Sequence, residues 1–195
     1  MTHKPFRVAL ANGLRYASVL DFEQLLAAVG ATLSVVDMPT SDADAVQRLS
    51  GFEGIIWPHG TYTLAPFADL PDLLGVIAPT VGVDHVDLDA ATAAGVVVGR
   101  LPTFATEQTA DMAMFLMIGA VRRVPQMLDQ WRKGHHAIPV WESHIRPIGD
   151  LRGGVLALSG FGRIARAVAT RAQGFGMRCI AYGPTVSAWE AKALG

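Results

Sequence analysis

A chain of 195 residues, 51% hydrophobic and with a formal net charge of −1, has the length and apolar content for one large or two small domains with a buried core. Sixteen basic residues against 17 acidic ones leave no cationic surplus to neutralise a run of phosphates, so no nucleic-acid partner is expected. The opening MTHKPFRVALANG has no long apolar stretch after its basic residues, and nothing later approaches the roughly 18 consecutive apolar residues of a membrane span. Neither a signal peptide nor a membrane partner is expected. The single cysteine, Cys179, allows no disulfide within these residues and sits in the apolar run 177–182, where it reads as a buried, inert thiol in a reducing, cytoplasmic compartment.

Residues 6–11 are apolar and bounded by Lys4-Pro5 and Asn12-Gly13, which predicts a buried strand. Ser18 and Asp21 form a capping box that opens a helix with Leu20, Phe22, Leu25, Leu26 and Val29 as its apolar side, closed by Gly30. A strand over 32–36, a helix over 41–49 capped by Ser41 and a strand over 54–57 follow. The same beat continues through a strand over 74–78, a short helix over 87–94 ended by Gly95, and the strand Val96-Val97-Val98. Strands without polar alternation, joined by helices, are what a parallel sheet covered on both faces requires. The turn Gly99-Arg100-Leu101-Pro102 marks a boundary, which gives one domain over 1–102 and a second over 103–195.

Beyond that turn the pattern changes. A helix over 106–121 is apolar on nearly every side, so it must be covered by protein all round or by a second copy of the chain, which predicts a homodimer. Arg122 and Arg123 at its end oppose the helix dipole and are read as structural. A helix over 125–133 ends at Gly134, and a polar loop with Trp141 and Pro147 leads to Asp150.

There a second α/β unit begins. The strand Gly154-Val-Leu-Ala-Leu-Ser159 runs directly into Gly160-Phe161-Gly162-Arg163-Ile164-Ala165 and a helix reaching about residue 173. This is G-x-G-x-x-A in its proper setting: the first glycine allows the tight turn, the second lets the backbone approach a pyrophosphate, and Ala165 lets helix and strand pack closely. The phosphates then meet N–H groups at the helix N-terminus. The next strand, 177–182, should end about 20 residues past the turn at an acid that takes the ribose hydroxyls of NAD, but Gly183 stands there. No acid repels a 2′-phosphate, and the first cation after Arg178 is Lys192, so NAD and NADP both remain open, with Thr185 and Ser187 able to hydrogen-bond either ribose.

The segment GGVLALSGFGRIARAVATRAQGFGMRCIAYGP resembles the fingerprint of the D-isomer-specific 2-hydroxyacid dehydrogenases. Three more segments are similar to that family: Val81-Gly82-Val83-Asp84-His85-Val86-Asp87-Leu88 with Ala90-Ala91-Thr92, then Pro102 with Thr106-Glu107-Gln108-Thr109-Ala110-Asp111, then Trp131-Arg132-Lys133-Gly134. The resemblance implies an α/β fold with a flavodoxin-like parallel-sheet substrate domain followed by the first part of a Rossmann dinucleotide-binding domain. It implies an oxidoreductase that moves a hydride between NAD or NADP and a small D-2-hydroxy acid or 2-keto acid. In that reading the backbone amides of Val81 and Gly82 hold the substrate carboxylate, as a glycine loop after a strand can do. Val81 and Thr109 line the nicotinamide side, Gly160, Gly162, Arg163 and Ile164 bind the pyrophosphate, and Gly183 lies at the ribose. The loop Pro58-His59-Gly60-Thr61, at the carboxyl end of a strand, is a possible substrate contact.

Such a dehydrogenase needs an acid or base beside the reacting carbon. His85 reads as structural, and His135, His136, Glu142 and His144 lie in a loop without metal-ligand spacing, so no metal is expected. The resemblance puts the catalytic Arg, Glu and His later than residue 195, on the order of 100 residues of domain being still to come. The expectation is therefore a fragment or truncated form that is inactive alone. The alternative is a non-catalytic, dinucleotide-sensing interaction protein of corepressor type on the same scaffold.

Overall fold

The structure, a computed structural model, describes residues 5–11, 19–58, 60, 62–135, 148–184 and 186–193. It divides into two compact units, Met1–Phe104 and Ala105–Gly195. In the first, β1 (Phe6–Ala11), α1 (Val19–Ala27), β2 (Ala31–Val36), α2 (Asp42–Leu49), β3 (Gly54–Ile56), β4 (Gly75–Ala78), α3 (Leu88–Ala93) and β5 (Val97–Arg100) alternate as the apolar runs require. The five strands form one parallel sheet in the order β2-β1-β3-β4-β5. This is the flavodoxin-like order, with its switch point between β1 and β3.

Because successive side chains of a strand point to opposite faces, β1 feeds two cores. Ala9 and Ala11 join Leu49, Ile55, Trp57, Phe67 and Val76 on one face, under α2, α3 and a short 3-10 turn, Phe67–Asp69. Val8 and Leu10 join Ala31 and Ile56 on the other, packed by Phe22 and Leu26 of α1. Trp57 is wholly buried, and its Nε1 donates to the His85 carbonyl at 3.2 Å, so the largest apolar side chain of the core leaves no polar atom unsatisfied. The caps follow the sequence as well. Ser41 Oγ accepts from the Asp44 amide, Asp87 caps α3 through the Ala90 amide, and Gly30 and Gly95 take positive φ after α1 and α3. Ser18 of the expected capping box lies outside the described residues.

Three expectations for this unit need correction. Leu25 and Val29 are not packed: they are 69% and 76% exposed, since α1 ends at Ala27, before Val29, and among the described residues it is Phe22 and Leu26 of the helix that pack on the sheet. The sheet is not covered on both faces throughout, since Ile77 of β4 and Val97 of β5 are 49% and 72% exposed. Nor do Gly99 and Arg100 form a turn; they pair with Ile77 and Ala78 as the last rungs of β5. An added Cβ at Gly99 would lie 2.5 Å from Ile77 Cδ1, so a larger residue there would displace the end of the half-exposed Ile77 side chain.

The second unit holds α4 (Thr106–Val121), α5 (Val124–Arg132), β6 (Val155–Ser159), α6 (Arg163–Gly174), β7 (Arg178–Tyr182) and α7 (Ala188–Ala193). β6 and β7 pair in parallel, Val155 opposite Arg178 through Ser159 opposite Tyr182. Their inner face, Leu156, Leu158 and Cys179, packs with Ala110 and Met114 of α4 and Val168 and Ala172 of α6. Arg171 of α6 reaches two carboxylates of α4, Glu107 and Asp111, each at 2.7 Å, and so fixes the rotation of one helix against the other. Arg122 caps α4 and pairs with Asp150 at 2.8 Å, the structural role its position suggested. Cys179 is half-buried rather than buried; desolvation pushes its thiol above the ordinary value. Trp141, Pro147 and the 136–147 loop lie outside the described residues. Among the described residues no helix is long and apolar enough to cross a membrane.

Candidate functional site

The loop after β4 carries Val81 and Gly82, both exposed. Its carbonyls are accounted for one after another. Thr80 C=O accepts from the Leu101 amide at 3.0 Å and Val81 C=O from Arg100 Nη1 at 2.8 Å. Gly82 C=O accepts from Thr80 Oγ1 at 2.6 Å, and Val83 C=O from the Val86 amide at 2.9 Å. A trans peptide points its N–H opposite to its C=O. Fixing the Thr80 and Val81 carbonyls therefore aims the Val81 and Gly82 amides away from the groups that hold those carbonyls. An added Cβ at Gly82 would lie 3.0 Å from Asp84 Oδ2, the end of a side chain that would have to shift.

After β3, Pro58 and Gly60 lie at the switch-point edge of the sheet, and Gly60 faces Met38 closely enough that an added Cβ would sit 3.1 Å from Met38 Cε. His59 and Thr61 lie outside the described residues. Nearby Tyr62 donates to the Asp42 carboxylate, and burial together with that carboxylate pushes its phenol far above the ordinary value, so it stays protonated at neutral pH. His85 is buried, and its carbonyl anchors both the Leu64 amide and Trp57.

The turn between β6 and α6 has the form of the glycine turn that the sequence predicts. Gly160 takes φ +87°, which a side chain would strain, and its amide donates to the Tyr182 carbonyl at 2.6 Å, tying the end of β7 to the turn. Gly162 caps α6 with φ −75°, and an added Cβ would meet nothing within 4 Å. The space it faces is open. A cavity of about 480 Å³ there is lined by Phe161, Gly162, Arg163, Arg166 and Val186. Arg166 is held in place by its Nε bond to the Phe161 carbonyl at 3.0 Å and by its seat 5.1 Å over the Phe161 ring. Gly183 abuts the turn, an added Cβ lying 3.6 Å from both Gly160 Cα and Phe161 N. The turn, the helix N-terminus and two guanidinium groups suit a pyrophosphate-bearing dinucleotide.

Gly160, Gly162, Arg163 and Gly183 thus gather about one turn, and Ile164 is 41% exposed on the first turn of α6. Thr109 is exposed on α4, in the same unit, while Val81 and Gly82 belong to the first unit. Two contributors escaped the sequence reading, Arg166 and Arg100. Arg166 had a signal, since it stands three residues after Arg163 and so shares its helix face. Among the described residues no group of three or more His, Cys, Asp or Glu could hold a metal, but His136, Glu142 and His144 lie outside them.

The fold is that of an α/β protein of two parallel-sheet units. Residues 17–192 match the family described as D-isomer specific 2-hydroxyacid dehydrogenase, catalytic domain, and the chain belongs to that family. A stretch of 156 residues, 80% of this chain, is 31% identical to human D-3-phosphoglycerate dehydrogenase and covers 28% of it. A stretch of 116 residues is 39% identical to the glyoxylate reductase of Korarchaeum cryptofilum, spanning 60% of this chain and 35% of that one. Among solved structures, a protein of Thermus thermophilus superposes with a TM-score of 0.75 at 31% identity, over 93% of this chain and 57% of that one. A glyoxylate reductase from Paecilomyes thermophila gives 0.77 at 26% identity, over 97% and 59%. The chain thus spans less than two thirds of the length of each of these relatives.

Proposed function

We propose that this chain carries the carboxylate loop and the dinucleotide turn of a cytoplasmic oxidoreductase acting on a small D-2-hydroxy acid or 2-keto acid with NAD or NADP. The observation that carries this reading is the Gly160 turn, where a positive-φ glycine, an open face at Gly162 and two arginines surround one cavity. Residues 1–102 act as the substrate domain and residues 103–195 as the nucleotide-binding domain. Val81 and Gly82 orient the acid through its carboxylate. Gly162 and Ile164 offer backbone amides to the pyrophosphate, Arg163 neutralises its charge, and Thr109 stands on the nicotinamide side. When bound, the nicotinamide supplies the hydride donor or acceptor. Turnover is expected to need an Arg, a Glu and a His of the family pattern in addition to these residues.

Calorimetric titration with NADH and NADPH tests the reading through Gly162→Val. That substitution has room in the fold yet fills the approach to the phosphates, so affinity should fall by more than about tenfold with an unchanged melting temperature. Retained affinity would remove the turn from the site. A protein extended past residue 195 that binds cofactor yet reduces neither glyoxylate, pyruvate nor hydroxypyruvate would favour a dinucleotide-sensing interaction protein instead. The exposed apolar residues Met112, Phe115 and Leu116 of α4 support a homodimer, for which Phe115→Glu should turn a dimer into a monomer in light scattering.

A further inference from the structure

We infer that Arg100 is a positioning residue for the substrate carboxylate: its guanidinium orients and polarises the Val81–Gly82 peptide whose N–H is one of the two proposed donors. This rests on the reading of Val81 and Gly82 as the carboxylate loop and adds to it the side chain that holds them.

Arg100 is the last residue of β5 and pairs with Ala78, the last residue of β4. That register places its side chain beside the first residues to leave β4, and its Nη1 reaches Val81 C=O at 2.8 Å, 19 residues away in sequence. Of the four successive carbonyls from Thr80 to Val83, two are tied by backbone amides, one by the Thr80 hydroxyl, and only Val81 C=O by a cation. The difference matters chemically. A cation on the carbonyl oxygen draws electron density across the amide and makes the N–H at the other end of the same peptide a stronger donor. The peptide concerned is the one that presents the Gly82 N–H. The guanidinium also brings a positive charge to a loop that is proposed to receive a negative one, where exposure weakens but does not abolish the attraction. Arg100 thus stays off the substrate and acts through the backbone.

The test is an amide-resolved NMR titration of the full chain with sodium pyruvate, using pyruvamide, which lacks the carboxylate charge, as the control. In the wild-type protein the Val81 and Gly82 amides should shift with pyruvate and not with pyruvamide. Arg100→Met should raise the dissociation constant for pyruvate about tenfold while resonances of the β1–β3 core stay in place. Arg100→Lys, which keeps both a donor and a charge, should recover most of the affinity. If Arg100→Met binds pyruvate as tightly as the wild type with the same shifts, Arg100 has no such role and the carboxylate loop stands. If Arg100→Lys binds no better than Arg100→Met in a folded protein, the charge-assisted bond is likewise refuted. Wild-type amides that do not respond to pyruvate overturn the loop assignment itself.

Discussion

The two units use the same alternation of strand and helix and end up with unlike cores. In the first, five strands bury Trp57, Phe67, Leu49, Ile55 and Leu64 to 1% exposure or less. In the second, two strands and their helices bury mainly alanines with Met114, Val168 and Phe161, while Phe115, Leu116, Ile180, Tyr182 and Trp189 remain at least half exposed. Among the described residues the second sheet has two strands, and a parallel sheet is covered on both faces. Chemistry follows the same division. The well-packed unit holds the proposed carboxylate loop, and the sparsely packed one the proposed phosphate turn.

The comparison is tested hardest at Trp57. Trp57→Ala removes the largest buried side chain and its hydrogen bond to the His85 carbonyl, and should destabilise the first unit by about 3–5 kcal/mol. Hydrogen exchange should then show loss of protection in β1, β3 and β4 with β6 and β7 unchanged. Equal loss in β6 and β7 would mean that the units unfold as one. Met114→Ala, at the centre of the second core, should cost about 2 kcal/mol in chemical denaturation, at the low end for a buried methionine, because its neighbours are small and half-exposed. A larger cost would show that the second unit is better packed than its exposed residues imply. The smallest expected effect bears on ligand rather than fold. Gly183→Asp has ordinary contact distances to the turn, and its carboxylate would repel a 2′-phosphate, so NADPH affinity should fall about tenfold relative to NADH in parallel calorimetric titrations. Unchanged relative affinity would place the ribose elsewhere.

Much of this molecule was legible in the residues. β1 and α4 have the extents that their apolar runs predict, and Ser41, Asp87, Gly30 and Gly95 mark helix ends through interactions that span only a few residues. The phosphate turn was legible for the same reason, since a positive φ at Gly160 and an uncrowded backbone at Gly162 are properties of those residues themselves. Leu25 and Val29 misled because periodicity gives the apolar side of a helix but not the width of sheet waiting beneath it. Gly99 misled because glycine punctuates turns and also makes room within a strand, and only Ile77, 22 positions earlier, distinguishes the two.

The sequence by itself determined the lineage and the shape of the Gly160 turn, because both reside in contiguous residues whose backbone preferences are local. Tertiary structure decided how the carboxylate loop is held. Val81 and Arg100 meet only because β4 and β5 pair in a register that sets Ala78 beside Arg100, and pairing register is a property of the assembled sheet.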